Sequence, residues 1–288
     1  MILNKESEIM KKLRILTDDA VKKSVVIDEG FVSAKNPEKV SAVWFEENLS
    51  LISACKSVDK GNKTAILNFA NPLEPGGGIL RGANSQEEYL CRATNLYNCL
   101  ISKHVSSYYL YHHNIYNMNT DNKMFLATDK IIYSPNVSII KEDINYKPDT
   151  DCKSEQIYTD NWHTVDIITC AAPYFSTDKC ELSDGDLYHL FTRRISNIFE
   201  SAIEYDIDTL ILGAFGCGAF HNPPEIVANA FYNVCTTRRY ERAFTKVFAV
   251  KRSGYYCENI EVFDSVFGHF PQAIISNERA KLFNKNLY

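Results

Sequence analysis

Residues 68–88 read NFANPLEPGGGILRGANSQEE. The stretch opens inside a mostly apolar run, Thr64-Ala65-Ile66-Leu67-Asn68-Phe69, bounded by Gly61-Asn62 and Asn71-Pro72. Its length and flanks predict a buried strand. The chain then crosses a turn, passes Gly76-Gly77-Gly78 and, after seven further residues, reaches Gln86-Glu87-Glu88. From Ser85 to about His104 an apolar stripe (Tyr89, Ala93, Leu96, Leu100, Ile101) predicts one substantial helix. Strand, glycine-rich loop and helix in that order are the seed of an α/β fold.

The rest of the chain repeats the alternation. Ser41 to Phe45 (SAVWF) predicts a short strand, and Asn48 is positioned to cap a helix through Leu51, Ile52, Ala54 and Cys55. Further apolar runs at Lys130-Tyr133, Val165-Ala172, Thr209-Ala214 and Lys246-Val250 predict strands. Amphipathic stretches near 187–205 and 224–238 separate them, which implies a mixed, largely parallel sheet with helices. Residues from about 5 to 23 place Ile9, Leu13, Leu16 and Ala20 on one helical face, so residues 1–40 are expected to form an N-terminal helical extension packed on a main domain at 41–288. Asn117 to Asp160, rich in Asn, Asp, Ser and Lys, is expected to form hairpins and loops. The sequence contains no internal repeat or low-complexity tract.

Composition excludes several functions. Of 288 residues, 45% are hydrophobic and 23% charged, a balance that supports a large buried core. A formal net charge of -5 supplies no positive field for duplex nucleic acid or a membrane surface, so any phosphate must be held locally by backbone amides and helix N-termini. The nine cysteines include no CxxC pair and no zinc spacing, which predicts free thiols, no metal site and a reducing compartment. Without a signal-peptide core or membrane-length apolar run, a cytoplasmic location is expected.

The two ends of the opening stretch carry the chemistry. Three successive glycines cost backbone entropy at each position, beyond what a turn needs, and point to a ligand approaching the backbone. A flexible connector is the alternative. A phosphate loop of the GK[ST] type is excluded because no such element follows. Ser85-x-x-Glu88 has the spacing of a capping box, so Glu88 has an innocent role to weigh against catalysis. The neighbouring glycines favour catalysis. Asn68 and Asn71, taken alone, fit turn formation equally well. A second glycine-rich loop, Gly213-Ala214-Phe215-Gly216-Cys217-Gly218-Ala219-Phe220, follows the strand Leu210-Ile211-Leu212 and precedes a helix starting near Pro223-Pro224. Strand, loop and helix here form a cradle for a diphosphate. Cys217 reads as a packed thiol, with no His or Asp at a telling spacing.

GGG followed by six to eight residues and QEE resembles the signature of poly(ADP-ribose) glycohydrolases, and Gly76 to Glu88 fits it at each position. The longer NFANPLEPGGGILRGANSQEEYLCRATNLY, with VDIITCAAP and LILGAFGCGAFHNPP, is similar to the microbial-type group over about residues 5 to 250. The resemblance implies a macrodomain-like three-layer sandwich and hydrolysis of ribose O-glycosidic bonds without a cofactor. It implies Glu88 as the catalytic acid/base and Glu87 as the holder of a ribose hydroxyl. Asn68 and Asn71 match the macrodomain NxxN element, with Asn71 near the distal ribose. Gly76, Gly77, Gly78 and Gln86 complete the substrate-binding signature, and Gly213 with Gly216 to Phe220 forms the diphosphate loop in which Phe220 orients the distal ribose. Ala219 departs from the branched apolar residue that related enzymes can carry.

The implied partner is ADP-ribose or an ADP-ribosylated macromolecule, and a binding module without catalysis or a mono-ADP-ribosyl hydrolase are the competing readings. One carboxyl group can protonate the leaving oxygen and then activate water at an oxocarbenium-like transition state. Residues adjacent on a helix point about 100° apart, so Glu87 and Glu88 are expected to divide the work. Repulsion from Glu87 and exclusion of water are expected to raise the Glu88 pKa.

Overall fold

A computed structural model describes residues 2–118, 124–141, 162–175, 182–251 and 257–268. In chain order the elements are α1 (Ile2–Lys23), β1 (Val25–Ile27), β2 (Val43–Glu46), α2 (Ser50–Val58), β3 (Thr64–Phe69), α3 (Gln86–Ala93), α4 (Leu96–Leu100) and α5 (Ser106–Met118). They continue as β4 (Met124–Phe125), β5 (Ile131–Ser138), β6 (Thr164–Cys170), β7 (Tyr174–Phe175), α6 (Asp184–Glu204), β8 (Thr209–Leu212), α7 (Pro224–Cys235), β9 (Thr245–Ala249) and α8 (Cys257–Phe267). Among the described residues no helix is long and apolar enough to cross a membrane.

The chain forms two compact units, Met1–Glu29 with Ile66–Ser176, and Gly30–Ala65 with Thr177–Tyr288. In the first, the hydrogen-bonded strand order is β1-β5-β6-β3. β1 runs antiparallel to β5 (Val25 opposite Tyr133), and β5 antiparallel to β6 (Tyr133 opposite Ile168). The β5–β6 register shifts between Ser134 and Val137, where Asn136 takes φ 54° and donates its N–H to Asp166 at 2.9 Å. β6 is buried at every position after Thr164, which explains its continuous apolar run. α1 packs on β5 and buries Ile9 and Ala20, two residues of the predicted stripe.

In the second unit the strand order is β8-β9-β2, all parallel, with Ile211 opposite Val247 and Phe45 opposite Phe248. α6 packs on α7 and α7 on α8, around an aromatic core in which Phe231, Phe263 and Phe267 meet Phe248. Buried Glu200 ties the entering segment down, accepting from Ser33 N at 3.0 Å, the Tyr240 hydroxyl at 2.8 Å and the Arg239 guanidinium. Parallel and antiparallel pairs alternating with helices give the α/β class expected from the sequence.

Three local expectations need correction. The helix expected from Ser85 to about His104 is two helices, α3 and α4. Thr94 is extended, bridges Ile139 and offers its hydroxyl to Leu96 N, and Asn95 bonds the Ser138 backbone in both directions, at 3.2 and 2.8 Å. Strand β5 thus captures two backbone positions that an uninterrupted helix would use. The first strand of the second unit is shifted to Val43–Glu46, and α2 starts one residue past Leu49, with Asn48 Oδ1 accepting from Leu49 N rather than capping. Within 117–160, the strand expected at Lys130–Tyr133 is present and runs on to Ser138, while 119–123 and 142–160 lie outside the described residues.

Candidate active site

β3 delivers Asn68 to the carboxylates. Asn68 is fully buried, and its Nδ2 donates to Glu87 Oε1 at 3.3 Å and to Thr169 Oγ1 of β6 at 3.2 Å. Asn71 N donates to Glu87 Oε2 at 2.7 Å. The Asn71 side chain closes the next turn, its Oδ1 accepting from Leu73 N at 2.8 Å and Glu74 N at 3.0 Å. Gln86 bridges back to the strand, accepting from Phe69 N at 2.9 Å and donating to Leu67 O at 2.8 Å. Its amide occupies the place of a neighbouring strand and fixes the start of α3 against β3.

The glycines answer to the protein's own side chains. Gly76 and Gly77 hold φ 70° and 59°, the left-handed region that glycine adopts without steric cost. A Cβ on Gly77 would lie 2.5 Å from Glu88 Oε1 and 3.0 Å from Glu87 Oε2. One on Gly76 would lie 2.8 Å from Tyr97 Cδ2, and one on Gly78 2.6 Å from Ala83 Cβ. The loop is therefore side-chain-free because the carboxylates, Tyr97 and Ala83 fill the space.

Glu88, 5% exposed, accepts from Gly78 N at 2.7 Å through Oε1 and from Ser85 N at 3.0 Å through Oε2. The capping box is thus formed, and its carboxylate is simultaneously clamped to the glycine loop. Capping and a role in chemistry are compatible here.

The Glu87 carboxyl has a raised pKa. Burial pushes it up from 4.5 to about 8, with Glu88's charge adding to the rise and hydrogen bonds from Asn71, Asn68 and Gly76 opposing it. The folded protein therefore keeps a proton on Glu87 that the unfolded chain loses between about pH 4.5 and 8. This contribution to stability is complete below pH 4.5 and declines as pH rises to about 8. Glu87→Gln is expected to remove that decline. Melting temperatures of both proteins across pH 4 to 9 check this, and parallel curves would refute it.

In the second unit, the loop Gly213 to Phe220 turns between β8 and α7. Gly216 takes φ 76°, and its carbonyl accepts from Asn222 N at 3.1 Å and Nδ2 at 2.9 Å. Phe215 anchors the loop edge-on against Phe191, and Asn259 of α8 donates to Cys217 O at 3.3 Å. The amides of Gly216, Gly218 and Ala219 make no hydrogen bond among the described residues. A Cβ on Gly218 would meet nothing within 4 Å. Pro224 occupies the first turn of α7, as the sequence suggested. Cys217 is buried, and burial pushes its thiol up, as befits a packed rather than reactive cysteine.

Each group of predicted residues is assembled in its own unit: Asn68, Asn71, Gly76 to Gly78 and Gln86 to Glu88 in the first, and Gly213 and Gly216 to Phe220 in the second. Sequence reasoning did not single out Thr169 of β6, which accepts from Asn68, or Tyr97 of α4, whose ring borders Gly76, because no local spacing announces them. Among the described residues no group of three His, Cys, Asp or Glu side chains is placed to hold a metal ion.

Comparison with known proteins agrees with this fold. Residues 4–142 match the family model of the microbial-type PARG catalytic domain. The poly(ADP-ribose) glycohydrolase (PARG) of Thermomonospora curvata is similar at a TM-score of 0.75 and 23% identity, over 92% of this chain and 98% of that one. Its complex with the inhibitor ADP-HPD matches at 0.71 and 23%, over 91% and 97%. The Deinococcus radiodurans PARG in complex with ADP-ribose matches at 0.68 and 22%, over 88% and 97%. No curated protein sequence matches. Over residues 4–142 the chain is similar to the microbial-type PARG catalytic domain, and its fold is the α/β, macrodomain-like fold of the bacterial PARG structures.

Proposed function

We propose that this chain hydrolyses ribose O-glycosidic linkages in ADP-ribose polymers or ADP-ribosylated targets, with Glu88 as the acid/base. The observation that carries this reading is the buried pair at the start of α3, in which Glu88 is held from two sides by backbone amides beside Glu87. Below about pH 8 Glu87 retains a proton, so the pair holds one in reserve near neutrality. Glu88 delivers a proton to the leaving oxygen and takes one from the attacking water, the two half-reactions that an oxocarbenium-like transition state requires. Glu87, neutral and fixed by Asn68 and Asn71, can hydrogen-bond a ribose hydroxyl. Asn71 retains its Nδ2 donors for the distal ribose, since they make no hydrogen bond among the described residues.

The Gly216 to Phe220 loop serves as a diphosphate cradle because its unclaimed amides precede the N-terminus of α7. Gly218→Val should weaken ADP-ribose binding at least tenfold while leaving the melting temperature nearly unchanged, because the added side chain enters open space. Calorimetry with a chelator present measures it, and binding as tight as wild type in a folded variant would remove this loop as the cradle. The whole reading is tested by incubating the protein with ADP-ribose polymer and with mono-ADP-ribosylated protein in parallel. Release of ADP-ribose from either supports hydrolysis. Tight binding without release from both substrates would make the chain a reader.

A further inference from the structure

The Asn68 amide joins the sheet to the carboxylates. Its Nδ2 donates to Glu87 Oε1 at 3.3 Å and to Thr169 Oγ1 of β6 at 3.2 Å, while Oδ1 has no hydrogen-bond partner among the described residues. Asn68 and Thr169 are both 0% exposed, so neither side chain meets solvent. The sheet sets this pairing. β6 and β3 are neighbours, and Ala70 N at the exit of β3 donates to Cys170 O at 3.0 Å, which brings Thr169 alongside Asn68. The orientation of the amide follows from elementary chemistry. An ionised carboxylate only accepts, so charged Glu87 demands the N–H side of Asn68. The second N–H then needs an acceptor of its own, because a buried unpaired donor is costly. Thr169 Oγ1 is that acceptor.

We propose that Thr169 is a positioning residue acting through Asn68: by holding one amide proton it keeps the other on Glu87, so that the proton of neutral Glu87 is left for a ligand instead of the Asn68 carbonyl. Asn71 N already fixes Glu87 Oε2 at 2.7 Å, and Asn68 governs the other oxygen. Asn68 then serves the carboxyl, a different role from the ligand contact that the resemblance implies for it. Without the Thr169 hydroxyl the second N–H is orphaned, the amide turns to relieve it, and Oδ1 becomes free to accept the Glu87 proton. This inference rests on the reading that Glu87 and Glu88 carry the chemistry, but it has a readout of its own.

Thr169→Val keeps the shape and removes the acceptor, whereas Thr169→Ser keeps the hydroxyl and removes a methyl group. Melting temperature, single-turnover release from polymer and a 13C NMR titration of the Glu87 carboxyl are to be measured on both. The titratable neighbours of Glu87 are Glu88 and Cys91 on its own helix and Tyr109 on α5. In Thr169→Val the Glu87 midpoint should rise by about half a pH unit, because an N–H donor favours the charged carboxylate. Turnover should fall about 3- to 10-fold, the worth of one hydrogen bond. Thr169→Ser should melt lower, for the lost methyl group, yet match wild type in midpoint and turnover. In an Asn68→Ala background, Thr169→Val should slow turnover by less than about twofold, because the residue it acts through is gone. A full further loss there would overturn the route through Asn68. An unchanged midpoint in Thr169→Val would overturn the proposal, as would turnover within about twofold of an active wild type, or an equal loss in Thr169→Ser. If Thr169→Val shows no cooperative melt, Thr169→Ala takes its place under the same criteria. Should the wild type show no turnover, the functional reading fails, and the midpoint alone judges Thr169: a rise supports its role and an unchanged value overturns it.

Discussion

Glu88→Gln is expected to lower single-turnover release of ADP-ribose about 100- to 10,000-fold while ADP-ribose binding stays within a few-fold, because Gln occupies the same space but cannot shuttle a proton. The structure adds a second consequence. Both Glu88 oxygens accept from backbone amides, Gly78 N and Ser85 N. A Gln amide can accept from only one of them and turns an NH2 toward the other. Stability should therefore fall by about 1 kcal/mol, the net worth of one lost hydrogen bond. Melting temperature and turnover, measured together, separate the roles. A purely structural cap predicts the stability loss with undiminished turnover, and that combination would end the case for Glu88 as the catalyst.

Gly77→Ala should do nearly as much damage from the backbone side. At φ 59° an alanine is strained, and its Cβ would lie 2.5 Å from Glu88 Oε1 and 3.0 Å from Glu87 Oε2. The clashing atoms are the far ends of side chains, which can swing aside, so the fold should lose only about 1–2 kcal/mol from the left-handed backbone. The chemistry has no such escape, since moving the Glu88 carboxylate breaks its bond to Gly78 N. Turnover is expected to drop about 100-fold. Kinetics at a temperature well below the variant's melting point test this, and turnover within threefold of wild type would show that the carboxylates are not held at the distances described.

These two variants also mark how far the sequence reads. The strand Thr64–Phe69, the glycine loop and the helix starting at Gln86 were legible with their boundaries, because each is specified by neighbours a few residues apart: an apolar run, positive-φ glycines and a capping box. The second glycine loop and the Pro-initiated helix behind it were legible for the same reason. Where a distant partner decided the outcome, the sequence misled. The apolar stripe of residues 89–101 continues smoothly through Thr94 and Asn95, yet Ser138 of β5 takes the Asn95 N–H and Ile140 just beyond it the Ala93 carbonyl, which breaks the helix. No periodicity encodes that capture.

Charge state divides along the same line. That two adjacent glutamates open a helix beside three glycines is a property of the sequence, and it sufficed to place both carboxyls at the candidate site. The raised pKa of Glu87 depends on burial, opposed by hydrogen bonds from Asn71 and Asn68, and these exist only once β3, the turn and α3 are packed. The reason the glycines must be glycines is likewise tertiary. Local chemistry explains why they can turn, but only the folded arrangement puts Tyr97, Ala83 and the two carboxylates where any side chain would stand. Short-range order was written in the order of residues, whereas the proton on Glu87 and the crowding around the three glycines arise from long-range packing, which brings together groups that no local pattern relates.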